Sequence, residues 1–148
     1  MQNSQPFSRM MTPERVVIDT NVLISYLLLP DSPANRAVRH LFRESKILTS
    51  DDMLKELAVV LARSKFDNYI SLNDRRNFLR KFIRISEVVT VTKRIQACRD
   101  PKDDKYLELA VNGDAGLIMS GDKDLLVLHP YGDVAIISPR HYLEYLYD

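Results

Sequence analysis

In Arg15-Val-Val-Ile-Asp-Thr-Asn-Val-Leu-Ile24, three β-branched residues run straight into Asp19-Thr20-Asn21, and apolar residues resume at Val22. A short apolar run bounded by polar residues fits a strand buried on both faces, as in a parallel sheet. The polar triplet is where such a strand stops. In open α/β sheets, sites form outside the carboxyl ends of the strands. Asp19 then falls at the mouth of a cleft, beside a core that it cannot enter as a bare charge. Taken alone, Asp19 or Thr20 reads equally well as the cap of the next helix.

Working outward, the apolar run continues to Leu29 and breaks at Pro30-Asp-Ser-Pro33. A helix follows over about 34–44, with Ala37, Val38, Leu41 and Phe42 on its apolar face and Arg36, Arg39 and Arg43 on another. Lys46-Ile-Leu-Thr49 reads as a second strand, and Ser50-Asp51-Asp52 starts a helix to about Ser64. Leu54, Leu57, Ala58 and Leu61 form its expected core stripe. Glu56 lies off that stripe, on a flank between Met53 and Val60. A polar connection over 65–72 leads to a helix over 73–84, then to a third strand at Val88-Val-Thr-Val91. Asp100-Pro101 opens another helix as N-cap and first-turn proline, with Leu107, Ala110 and Val111 facing the core and Gly113 ending it. Residues 115–119 form a fourth strand, and Ser120-Gly-Asp-Lys-Asp124 stands at its carboxyl end. A short helix from Leu125, a fifth strand at Val134-Ala-Ile-Ile137 and a helix from Ser138-Pro139 complete the pattern. Strands alternating with helices mean an α/β fold with a mostly parallel sheet of about five strands.

The chain has 148 residues, enough for one domain with a sizeable core. Residues 1–13 read as a flexible tail without the apolar region of a signal peptide, and 14–148 as a single domain. A formal net charge of +1 names no partner. The one cysteine, Cys98, excludes an internal disulfide and a cysteine-rich zinc site. That fits a reducing cytoplasm, and no apolar run reaches the length of a membrane span.

The acids stand at equivalent places in this pattern. Asp19 follows strand one, Asp122 and Asp124 follow strand four, Asp103 and Asp104 begin the helix before it, and Glu56 lies on an earlier helix. In a parallel sheet the carboxyl ends of the strands and the amino ends of the following helices share one edge, so these acids are able to converge. Crowded carboxylates repel and are pushed toward protonation; a divalent cation removes that penalty. An all-oxygen donor set points to Mg²⁺ or Mn²⁺, which suits hydrolysis of a phosphodiester. Each acid also has a structural reading. Asp100 and Asp103 read best as helix caps, leaving Asp104 the better ligand candidate; Asp122 doubles as a cap, and Asp124 reads as a first-turn dipole partner.

Val-Val-Ile-Asp-Thr-Asn-Val, Leu-Lys-Glu-Leu, Asp-Pro-Lys-Asp-Asp-Lys-Tyr-Leu-Glu-Leu-Ala and Ser-Gly-Asp-Lys-Asp-Leu-Leu, in this order, resemble the PIN domain, a small metal-dependent nuclease fold, from Val16 to about Leu146. The last two motifs resemble in particular toxins of VapBC-like toxin–antitoxin systems. The resemblance implies a three-layer PIN-like fold and an endoribonuclease acting on single-stranded RNA. It places catalytic acids at Asp19, Glu56, Asp104 and Asp122, with Asp19, Asp104 and Asp122 on Mg²⁺ or Mn²⁺. Thr20, Asn21 and Ser120 match the polar positions beside them, with Asp103 and Asp124 as outer ligands. It further implies a homodimer and a small antitoxin partner. Arg36, Arg39 and Arg43, with Arg63 and Lys65 in a basic stretch that also holds Arg75, Arg76, Arg80, Lys81 and Arg84, are expected to guide RNA; the same residues also read as solvated helix faces. The alternative is a non-catalytic or DNA-directed module on the same fold.

Overall fold

A computed structural model describes residues 12–147. The expected tail falls largely on residues 1–11, outside the described residues. Five strands form one parallel sheet: β1 (Arg15–Ile18), β2 (Lys46–Thr49), β3 (Ser86–Val88), β4 (Leu117–Met119) and β5 (Ala135–Ile137), in the order β3-β2-β1-β4-β5. Seven helices flank it: α1 (Thr20–Leu28), α2 (Pro33–Glu44), α3 (Asp51–Leu61), α4 (Leu72–Ile85), α5 (Asp104–Asn112), α6 (Lys123–Leu126) and α7 (Pro139–Tyr147).

β1 is central because its side chains are apolar on both faces: Val16, Val17 and Ile18 are completely buried. The chain builds outward from β1 to β2 and β3, then returns to β1's other side for β4 and β5. The order therefore reverses between β1 and β4. At such a switch point the loops leave in opposite directions and a crevice opens at the carboxyl edge. Ile18 pairs with Met119 across it, so the residues that follow, Asp19 and Ser120, face each other by construction.

Several expected elements shift. The third strand is Ser86–Val88, not Val88–Val91; Val89 adds one bond to the Thr49 carbonyl (2.8 Å) before the chain leaves the sheet. β3 is an edge, where backbone pairing decides and an apolar run is not needed. Polar Glu87 there pairs with Arg15 of β1 (2.7 Å). The core stripe of α3 is Met53, Leu57, Val60 and Leu61, with Ala58 exposed, so the helix is rolled toward the flank that carries Glu56. In α5, Tyr106 to Ala110 are all buried, while Val111 is only half-buried. Gly113 ends α5 where a Cβ would lie 2.7 Å from Leu48 Cδ1; close packing, not a left-handed backbone, requires glycine there.

Arg75 leaves the expected basic stripe. It is buried, and its guanidinium donates to the carbonyls of Leu61 (2.9 Å) and Arg63 (3.2 Å) and pairs with Asp67 (2.7 Å). Arg36, Arg39, Arg43, Arg63 and Lys65 are exposed. Tyr142 and Leu143 of α7 belong to the core. No helix among the described residues is long and apolar enough to cross a membrane.

Candidate active site

Asp19 ends β1 and caps α1. One carboxylate oxygen accepts from the Asn21 amide (2.9 Å), the other from the Ser120 hydroxyl (2.6 Å). Its own amide donates to the Met119 carbonyl (2.9 Å). The cap and the site readings of this residue thus coexist. Burial raises the Asp19 pKa; Ser120 and Asn21 oppose that, while Glu56 and Asp122 add to it. Ser120 also accepts from the Asp122 amide (3.0 Å), tying the loop after β4 to the residue after β1.

Asp122 caps α6 through the Asp124 amide (2.8 Å). Its carboxylate converges with those of Asp103 and Asp124: one ligand oxygen from each lies within 4.8 Å of the others. Asp103 makes no side-chain cap bond, so its expected capping role falls away; Asp100 caps the turn before α5 instead, through the Lys102 amide (3.0 Å). The Asp103 pKa is pushed up to about 7, first by burial, then by the charges of Asp122 and Asp100. Among the described residues, the cation paired with this group is Arg99, 3.3 Å from Asp124 and well exposed.

Asp104 is turned elsewhere. Its Oδ1 accepts from the amides of Ala97 (3.1 Å) and Cys98 (2.8 Å). Burial works against the carboxylate, yet these amides outweigh it and hold its pKa below the usual range. Four residues on, Glu108 accepts from the Ile95 amide (3.0 Å) and pairs with Arg94 (3.1 Å). Four further on, Asn112 accepts from the amides of Thr92 (3.1 Å) and Lys93 (3.0 Å). This i, i+4, i+8 face clamps a segment that has no strand partners of its own. Of the two acids that the sequence weighed as ligand candidates, Asp103 thus joins the acidic group, while Asp104, the one it preferred, is held by backbone amides.

Glu56 lies on the opposite flank. Oε1 accepts from the Thr20 hydroxyl (2.7 Å) and from Tyr106, and Oε2 pairs with Lys105 (3.2 Å). Burial would raise its pKa, but Tyr106, Thr20 and Lys105 together bring it below the ordinary value. Tyr106 and Lys105 were legible only as part of the motif around Asp104; a tyrosine in an apolar helix counts as core unless its hydroxyl partners are known. Asn21 and Asp122 also line a 330 Å³ cleft with Asp19 and the start of α2 at Ala34.

The family model of the PIN domain matches residues 15–124. An uncharacterized protein of Methanocaldococcus jannaschii is 33% identical over 129 residues, covering 86% of this chain and 83% of that protein. In fold, the chain resembles VapBC2 from Rickettsia felis, solved bound to a promoter DNA fragment (TM-score 0.57, 12% identity, 84% of this chain and 98% of that one). It also resembles FitAcB from Neisseria gonorrhoeae (TM-score 0.51, 16% identity, 85% and 99%). With acids gathered at the β1/β4 switch point and the family match spanning every one of them from Asp19 to Asp124, the chain belongs to the PIN-domain family.

Proposed function

We propose that this chain is a metal-dependent endonuclease that hydrolyses phosphodiester bonds in single-stranded RNA, acting as the toxin of a VapBC-like pair. The observation that carries this reading is the group of Asp103, Asp122 and Asp124, whose oxygens lie within 4.8 Å of one another next to Asp19. Such a group is self-repelling without a cation and is complementary to one. The donor set is all oxygen, which fits Mg²⁺ or Mn²⁺. Asp103 and Asp122 would hold the ion, with Asp124 beside them and Asp19 closing the pit. A bound divalent ion supplies an acidified water and neutralises charge building on the phosphoryl oxygens.

The remaining residues keep the pit in order. Ser120 holds Asp19 by one oxygen and the Asp122 amide by its own. Glu56, kept ionised by Thr20, Tyr106 and Lys105, adds a negative charge beside Asp19. Asp104 is a buttress in this reading, fixing the segment that leads into α5. The exposed Arg36, Arg39 and Arg43 on α2, with Arg63 and Lys65, offer a polyanion its approach. The motif resemblance and the fold likeness to VapBC2 support a small antitoxin as partner. A homodimer is part of the same proposal, checked by mass in solution.

The test is cleavage of single-stranded RNA and DNA with Mg²⁺ or Mn²⁺, comparing wild type with Asp19→Asn and Asp122→Asn. RNA cleavage lost in both folded variants supports the reading. Preferred cleavage of DNA favours the DNA-directed alternative, and equal activity in all three proteins points to a contaminant.

A further inference from the structure

We infer that Tyr106 is a positioning residue of the proposed nuclease site, bracing Glu56 against the start of α1. Its side chain is 2% exposed, and a phenylalanine would bury the same ring. What the hydroxyl adds is a junction. It donates to Glu56 Oε1 of α3 and accepts from the Thr20 amide, the first of α1, at 3.3 Å. Its oxygen also lies 3.1 Å from Thr20 Oγ1, which itself donates to the same Glu56 oxygen at 2.7 Å. A buried hydroxyl carries a desolvation cost unless it is bonded, and here every bond goes either to Glu56 itself or to Thr20, the neighbour of Asp19. Lys105 completes the brace from the preceding position: its ammonium meets Glu56 Oε2 at 3.2 Å and lies 5.2 Å from the Tyr106 ring centroid.

The spacing gives the brace its meaning. Asp103 and Tyr106 are three residues apart at the amino end of α5, so one helical turn carries both an acid of the pit and the bolt that holds Glu56. Any tilt of α5 that moves Asp103 also moves the phenol. Elements far apart in sequence, β1–α1, α3 and α5, are thereby held in one register. Catalysis by fixed groups is sensitive to this: displacements on the order of an ångström cost up to about a hundredfold in rate.

The inference rests on the nuclease reading, and the experiment separates the two. Full-length wild type, Asp122→Asn, Tyr106→Phe, Glu56→Gln and the double variant Tyr106→Phe/Glu56→Gln are assayed on single-stranded RNA with Mn²⁺. Unfolding midpoints and Mn²⁺ affinity are measured in parallel. Tyr106→Phe is expected to lower kcat by about 10- to 100-fold with KM unchanged. Its Mn²⁺ affinity stays that of wild type. The double variant is no slower than Glu56→Gln alone, because a residue acting through Glu56 has nothing left to act on. Wild-type rates in Tyr106→Phe overturn the inference and leave the nuclease reading standing. Multiplying losses in the double variant, or a collapse of the midpoint that accounts for the lost rate, also overturn it. If Asp122→Asn cuts as fast as wild type, the nuclease reading fails and takes the inference with it.

Discussion

At the amino end of α5, Asp103 turns into a pit of carboxylates, while on the flank of the same helix Asp104, Glu108 and Asn112 accept hydrogen bonds from the segment between Thr92 and Cys98. Asp103 and Asp104 are the same kind of residue and are adjacent in the chain. Their surroundings differ in what faces them: other anions in the pit, N–H donors on the flank. One environment raises a carboxylate pKa and the other lowers it. A carboxylate that lowers its pKa contributes to stability; one that raises it withholds stability until something positive arrives. The Asp104 carboxylate is therefore satisfied by donors already in the fold, whereas the pit gathers carboxylates that repel one another.

The sharpest way to break this contrast is to change the neighbours one at a time. Asp103→Asn should abolish RNA cleavage, by more than about a hundredfold, since even partners one layer out from a metal cost 10- to 100-fold. Asp104→Asn keeps an acceptor oxygen for the Ala97 and Cys98 amides, and should stay within about tenfold of wild type. Cleavage rates under saturating Mn²⁺ decide it. The reverse ranking would restore the assignment that sequence alone suggested.

Removing the acceptor altogether moves the effect from activity to stability. Asp104→Ala leaves two partly buried amides without a partner, a loss of about 2 kcal/mol. The unfolding midpoint should fall by about 6–8 °C. Hydrogen exchange at residues 97 and 98 should accelerate at the same time. An unchanged midpoint would mean that water replaces the carboxylate and that the clamp is incidental.

The two sides also differ in pH response. For Asp103 the folded-state pKa, about 7, lies above the ordinary carboxylate value. The folded state then binds more protons than the unfolded chain between about pH 4 and 7, so stability falls as pH rises through that window. For Asp104 the folded pKa is depressed, so its contribution is complete above about pH 4 and is lost only on further acidification. In chelator-treated protein the midpoint should be higher at pH 5.5 than at pH 7.5. Asp103→Asn should flatten that slope, and Asp104→Ala should leave it unchanged. A slope that survives Asp103→Asn would place the proton taken up in this window on another acid of the pit.

How far the sequence carried this contrast depends on which interaction each residue makes. β1 and β2 were legible because buried central strands are apolar runs. The placement of Asp19, Ser120 and Asp122 followed, since strand ends in a parallel sheet share an edge. β3 was misread because the edge strand contains polar Glu87, whose partner Arg15 is 72 residues away in the chain. The surroundings that separate Asp103 from Asp104 were hidden for a similar reason. Local spacing sees caps and helix positions, but the donors of the Ala97–Cys98 segment are set by tertiary packing. Tyr106 was hidden by its own ring, which satisfies an apolar pattern while the hydroxyl serves the site.

A smaller test asks whether donor satisfaction is what distinguishes a structural polar group here. Thr49, at the end of β2, is completely buried, and among the described residues its Oγ1 is the buried side-chain polar atom left without a hydrogen-bond partner. It has Asp104's burial without Asp104's donors. Valine has nearly the same shape and no hydroxyl to desolvate, so Thr49→Val should stabilise by about 1 kcal/mol and raise the midpoint by about 3 °C. The sign is opposite to that of Asp104→Ala, although both changes delete a buried polar group. A lowered midpoint would show that the hydroxyl bonds to an ordered water, and burial without partners would then no longer explain the difference between the two sites.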